Sequence, residues 1–225
     1  MKRFPLFLAM TAMVFFISCK GKEQAAAKME PIASVNMNVV AIKHTVKDFD
    51  TWKAAYMAHD SVRNAHGLAT LTMGRGMDDP NTVYIVHTMS DMQKAKDFLA
   101  LPDLKAVMDS AGVTGEPEII MANVIRLDTT MKDTKARMRM AHHVKDFDAW
   151  LKVYDEEGRE MRMEYGLADR AISRGIDDPN MVHVTFYVTD MEKAKARGAS
   201  PELKAIMDRA GVDSEPVVFM YTVVN

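Results

Sequence analysis

The sequence predicts an α+β chain in which one β-α-β-β-α-β unit is written twice. Three observations predict it. Motifs spread over about ninety residues recur in the same order in the second half of the chain. Each copy alternates strand-like and helix-like patterns in one sequence. The repeat accounts for nearly everything after residue 36.

The recurrence is close. His44-Thr45-Val46-Lys47-Asp48-Phe49-Asp50-Thr51-Trp52 returns as His142-His143-Val144-Lys145-Asp146-Phe147-Asp148-Ala149-Trp150. Arg75-Gly76-Met77-Asp78-Asp79-Pro80-Asn81 returns as Arg174-Gly175-Ile176-Asp177-Asp178-Pro179-Asn180. Pro102-Asp103-Leu104-Lys105-Ala106 returns as Pro201-Glu202-Leu203-Lys204-Ala205, and Ala111-Gly112-Val113 as Ala210-Gly211-Val212. One extra residue lies in the second copy, between Tyr154 and Arg162.

Within the first copy, Met37 to His44 is β-branched and apolar, hence strand-like. Asp48 suits a helix N-cap and Asp50 the first turn, where a carboxylate meets the positive end of the helix dipole. The helix runs to about Ala65 and stops at Gly67, with Trp52, Tyr56 and His59 on one face. Leu68–Arg75 and Val83–Thr88 form a hairpin about the turn Asp78-Asp79-Pro80-Asn81. Asp91–Leu99 and Asp103–Ala111 are helical, and Glu118–Leu127 is the last strand. This order is ferredoxin-like. The boundaries are 37–127 for the first repeat, 128–136 for a linker and 137–225 for the second repeat.

The beginning of the chain differs. Lys2 and Arg3 precede an apolar run from Phe4 to Ile17, then Ser18 and Cys19. A basic start, a short apolar stretch and a small residue before the cut describe an export signal over residues 1–18. Cys19 is the only cysteine and lies where lipoproteins carry their acyl chains. Lipidation at Cys19 therefore predicts a membrane partner, a tether over 19–36 and a place in the cell envelope. Lys20, rather than Asp, after the cysteine favours the outer membrane, facing the periplasm or the surface. After signal removal 27 Lys+Arg face 31 Asp+Glu. No concentrated basic run follows, so nucleic acid is not an expected partner. The folded part has no thiolate for a metal, the methionines are dispersed at core-like positions, and the Asp-Asp-Pro-Asn turn is too short for a calcium loop. No metal and no cofactor are expected.

The pattern Val46-Lys47-Asp48-Phe49-Asp50 with Trp52, then Arg63, Gly67, Arg75, Asp78-Asp79-Pro80-Asn81, Lys94-Ala95, Pro102, Leu104-Lys105, Met108 and Glu116-Pro117 resembles small bacterial proteins of the dimeric α/β-barrel superfamily. That superfamily includes antibiotic-biosynthesis monooxygenase-like and "cyclase"-labelled proteins. The resemblance implies that the two copies form an intramolecular dimeric α/β barrel, a monomer with pseudo-two-fold symmetry.

Candidate site residues follow from strand alternation. His44 shares a face with Val40 and Ile42, and His142 with Met138 and Met140. Both stand at strand ends, at the expected mouths of the barrel, where an imidazole could act as general base. The plainer alternative is a hydrogen bond to a helix start or loop carbonyl. Arg75 and Arg174 share apolar strand faces with Leu71 and Met73, and with Arg170 and Ile172. They are candidates to hold an anionic ligand, or to pair with the adjoining turn. Three functions are consistent with these residues. The first is an envelope lipoprotein binding a small apolar or aromatic ligand. The second is a cofactor-independent monooxygenase- or cyclase-like enzyme with His44 or His142 as base. The third is a structural or interaction module.

Overall fold

The computed structural model describes residues 29–131 and 133–224. Cys19 and the export signal lie outside the described residues. The first repeat comprises β1 (Ser34–Val46), α1 (Phe49–Ala58), α2 (Asp60–Ala65), β2 (Leu68–Gly76), β3 (Thr82–Met89), α3 (Met92–Leu99), α4 (Leu104–Ser110) and β4 (Val113–Leu127). The second comprises β5 (Ala136–His143), α5 (Phe147–Glu157), α6 (Arg159–Glu164), β6 (Leu167–Gly175), β7 (Met181–Val188), α7 (Met191–Gly198), α8 (Pro201–Arg209) and β8 (Val217–Val223). β1 begins at Ser34, and Ile32 before it is buried, so the end of the expected tether joins the fold.

Local chemistry sets the helix starts. Asp48, Asp91, Asp146 and Asp190 each have extended backbone and accept from the N–H three residues on, at Thr51, Lys94, Ala149 and Lys193. Each cap satisfies an otherwise orphaned donor and contributes about 1 kcal/mol. The helical segments end at Gly67 and Gly166, at φ of 71° and 74°. A side chain on Gly166 would meet the Asp190 carbonyl at 2.5 Å, so chain direction and close packing both require glycine there.

The eight strands close into one antiparallel barrel in the order β1-β3-β2-β8-β5-β7-β6-β4. Each repeat contributes a four-stranded sheet, and the sheets join along two seams. At one seam β2 pairs with β8 through Gly74↔Val223. At the other β4 pairs with β6 through Asn123↔Arg174. Closure leaves no free sheet edge. The helices pack on the outer face of the sheet, so each strand has a helix-facing and a lumen-facing row. Val40, Ile42 and His44 face the helices; Val39 and Ala41 face the lumen.

A bulge interrupts β2 between Thr70 and Thr72, and β6 carries the same one between Asp169 and Ala171. Each extra residue changes which side the strand presents. Leu71 and Arg170 therefore line the lumen, whereas Met73 and Ile172 lie in the helix-side cores. The single shared face expected from strict alternation is thus split at the bulge.

Candidate functional site

The helix-side core differs between the repeats. In the second it is one continuous cluster from Met138 through Trp150, Leu167 and Phe186 to Ala210. In the first it falls into two clusters, one around Trp52 and Ile85 and one around Leu68 and Phe98. Between them is an apolar cavity of about 180 Å³. Its walls include His44, Trp52, Tyr56 and His87, and helices α3 and α4 cover it with Phe98, Leu104 and Met108.

His44 is buried, and neither ring nitrogen has a hydrogen-bond partner. Its ring lies edge-on to Trp52, 5.5 Å between centroids. Burial pushes its pKa down from 6.5 to about 4, so the imidazole is neutral near pH 7. His87 is 1% exposed. Its Nε2 lies 2.8 Å from the Tyr56 hydroxyl, and its Nδ1 is unpartnered. Burial, helped by the nearby Arg63 charge, lowers its pKa to about 4. The Tyr56 hydroxyl also lies 2.6 Å from Thr70 Oγ1. Burial raises the Tyr56 pKa, keeping the phenol protonated. Arg63 stacks on the Tyr56 ring at 3.5 Å and donates to the Tyr56 carbonyl at 2.6 Å, which fixes the ring. The arrangement is a mainly apolar pocket with an aromatic wall, the imidazoles of His44, His59 and His87, the Arg63 guanidinium and one phenol.

The corresponding space in the second repeat is about 90 Å³. His142 repeats His44, with both nitrogens unpartnered and burial lowering its pKa to about 4. The rest has changed. Phe186 stands for His87, Asp169 for Thr70, Glu157 for His59 and Arg197 for Phe98. Arg162 donates through Nε and Nη2 to the two oxygens of Asp169, both at 2.8 Å. Tyr154 donates to Asp169 at 3.0 Å, and Arg197 to Glu157 at 2.6 Å. This buried ion network borders a space about half the size of the one in the first repeat.

The sequence placed His44 and His142 at barrel mouths. The structure instead turns both onto the helix side, one in each sheet–helix space. Arg75 and Arg174 lie against the adjoining turn, the second of the two roles offered for them by the sequence. Arg75 Nε donates to the Pro80 carbonyl at 2.7 Å, and its guanidinium covers the Phe49 ring at 4.1 Å. Arg174 does the same to Pro179 at 3.0 Å and Phe147 at 4.2 Å. Neither lines the sheet–helix cavities or the lumen. They tie the hairpin turn to the first helix. The turn itself is closed by Asp79, which accepts from Asn81 N and Thr82 Oγ1, both at 2.9 Å.

Tyr56, Thr70 and Arg63 were not singled out from sequence as site residues. The signal that could have found the site was the mismatch between copies, since His59/Glu157 and Phe98/Arg197 line the cavity and Thr70/Asp169 meet the tyrosine hydroxyl at its border.

No family model and no curated protein matches the sequence. Solved structures do match in shape. One is an anthrone oxidase-like protein, at 15% identity and TM-score 0.58 over 87% of this chain and 95% of that one. A second is a haem-binding protein from Thermus thermophilus, at 11% identity and TM-score 0.52 over 87% and 94%. A third, from Fusobacterium nucleatum, carries a provisional monooxygenase assignment, at 12% identity and TM-score 0.52 over 88% and 94%. At such identities the likeness is one of fold, and fold alone does not fix activity. With its two repeats closing a single eight-stranded barrel, the chain shares the overall fold of these three structures.

Proposed function

We propose that this chain is an envelope-anchored binding protein that holds a small apolar or aromatic molecule in the sheet–helix cavity of its first repeat. One observation carries the reading. The core of the first repeat is interrupted around His44, Tyr56 and His87, while the same space in the second repeat, bordered by the Arg162–Asp169 network, is about half as large. Protein interiors are close-packed, and an unfilled apolar cavity costs stability. A ligand restores the missing contacts. The Tyr56 hydroxyl and the imidazoles of His44, His59 and His87 supply the few polar groups that orient such a ligand. At about 180 Å³ the cavity suits one or two fused rings. It does not suit a tetrapyrrole, so the haem bound by the Thermus protein is not carried over.

A second reading, a cofactor-independent oxygenase, draws on the free nitrogens of His44 beside the Tyr56 phenol and on the anthrone oxidase-like neighbour. His44 would take the proton of an acidic C–H or O–H. An imidazole with a pKa near 4 is a weak base at neutral pH, which ranks this reading second.

The test is solvent extraction of natively purified protein, with mass spectrometry of the extract, alongside 1-naphthol titration followed by Trp52 fluorescence. Wild type should carry an extractable small molecule or quench on titration. Val107→Trp, which fills the cavity, should do neither. Equal behaviour of wild type and the filled variant would remove the proposal. Oxygen uptake with anthrone that is lost in His44→Ala would promote the second reading.

A further inference from the structure

The barrel lumen is a separate cavity of about 370 Å³. Its two walls are unlike. The first repeat contributes a mainly apolar wall that includes Val39, Ala41, Ile120 and Ala122, with Thr72 and Tyr84 as its polar members. At the positions equivalent to Val39, Ala41 and Leu71 the second repeat carries Arg137, Arg139 and Arg170. His183, Tyr187 and Tyr221 belong to that wall as well, and among the described residues no Asp or Glu lines the lumen.

Arg137 and Arg139 are 7% and 3% exposed. Burying a guanidinium is costly without an anion beside it. Among the described residues, Arg137 donates to the carbonyls of Thr134 and Ala136 and stacks on Tyr187 at 4.1 Å. Arg139 Nη2 lies 3.0 Å from His183 Nδ1, and its nearest carboxylate, Glu118, is 4.0 Å away and shared with Lys43. Arg170 donates to the Asp128 carbonyl at 2.6 Å, while the Asp128 carboxylate is held by Arg159 at 3.2 Å. Three guanidinium groups thus face one cavity whose own walls supply no counter-charge. His183, 7% exposed, also lines it with a buried Nε2 that has no partner. Its Nδ1 meets a guanidinium, which has only donors, so Nδ1 accepts and the proton sits on Nε2. That proton is a further buried donor with no acceptor among the described residues.

We infer that the lumen is a second ligand site, built for an amphiphilic organic carboxylate. Its head is held by Arg137, Arg139 and His183, and its apolar body lies against Val39, Ala41 and Ala122. Guanidinium groups match a carboxylate in both charge and hydrogen-bond geometry. The opposite wall offers no cationic side chain to a second carboxylate, which selects against dicarboxylates. Leu71 and Thr129, both exposed, mark an entrance beside the linker.

Calorimetric titration of the full chain in lipid nanodiscs, with empty nanodiscs as blank, tests this with octanoate and octan-1-ol. Octanoate should bind one per chain, and octan-1-ol at least tenfold more weakly. Arg139→Met and Arg137→Met should each weaken octanoate at least tenfold. Ala41→Phe, which narrows the lumen from its apolar wall without touching an arginine, should weaken it as well and guards against misfolding in the arginine variants. Ala55→Phe, in the sheet–helix cavity, should leave octanoate binding unchanged, so failure of this site and of the first are read separately. Equal affinity for acid and alcohol would overturn the inference. So would octanoate binding that survives Arg139→Met and Ala41→Phe, binding lost only in Ala55→Phe, or no octanoate binding by folded protein.

Discussion

The Tyr56 hydroxyl lies 2.8 Å from His87 Nε2, whereas its counterpart Tyr154 donates to the Asp169 carboxylate at 3.0 Å. One phenol borders an open pocket and the other belongs to a closed ion network. The two repeats share a backbone plan and have diverged at this point. Replacing His87 by Phe copies the second repeat. His87→Phe is expected to fold with stability within about 1 kcal/mol of wild type, because it removes a buried unpartnered nitrogen and fills space. It should also abolish 1-naphthol binding. Urea unfolding and fluorescence titration check the two halves.

Asp169 anchors the second repeat. Asp169→Asn leaves Arg162 short of its main counter-charge in the interior and should cost about 3–5 kcal/mol. Asp60→Asn, at the exposed partner of Arg63, should cost less than about 1 kcal/mol. Denaturant midpoints of both variants give the comparison. Similar losses would mean that the second network is no more essential than a surface pair.

Stability should fall with acidification below pH 6.5. Burial lowers the pKa of His44, His87 and His142 to about 4, and burial with Arg139 lowers that of His183 to about 3. Between those values and 6.5 the unfolded chain binds more protons than the folded one. The contribution is therefore full above pH 6.5 and is lost as pH falls through 4. Each imidazole adds a slope of up to about 1.4 kcal/mol per pH unit. His143, raised by Asp213, works in the opposite sense from an exposed position. Urea titrations between pH 7.5 and 4.5 should show the decline, and His142→Phe should make it shallower.

Arg75→Ala and Arg174→Ala should leave ligand binding unaltered. Each loses one carbonyl hydrogen bond and one ring contact, a cost of about 1–2 kcal/mol. Melting temperature and naphthol affinity measured together would reveal any direct role, as a change in affinity without a change in melting.

Cys19→Ser should abolish labelling by radioactive palmitate and shift the chain out of the acylated membrane fraction. Multiple acyl chains anchor stably because each buried methylene contributes about 0.8 kcal/mol. Undiminished labelling in the variant would disprove acylation at this residue.

The elements were legible because their causes are local. An aspartate cap, a glycine stop and a β-branched run act over a few residues, and their repetition marked both copies. The barrel came from a resemblance carried by those same repeated residues. The site was less legible, because its members meet only across the fold. Strict alternation put Arg75, Met73 and Leu71 on one face, but the bulge at Thr70–Thr72 sends Leu71 and its counterpart Arg170 into the lumen. His44 could be assigned to the face of Val40 and Ile42 from period two alone. Which side of the sheet that face meets depends on where the helices pack and the barrel closes. By itself the sequence determined the duplicated elements, their order and the candidate histidines. Tertiary packing alone decided that His44, Tyr56 and His87 border one open cavity, that Asp169 pairs with Arg162 beside its smaller twin, and that three arginines share the lumen. These outcomes rest on burial and on distances between strands far apart in the chain.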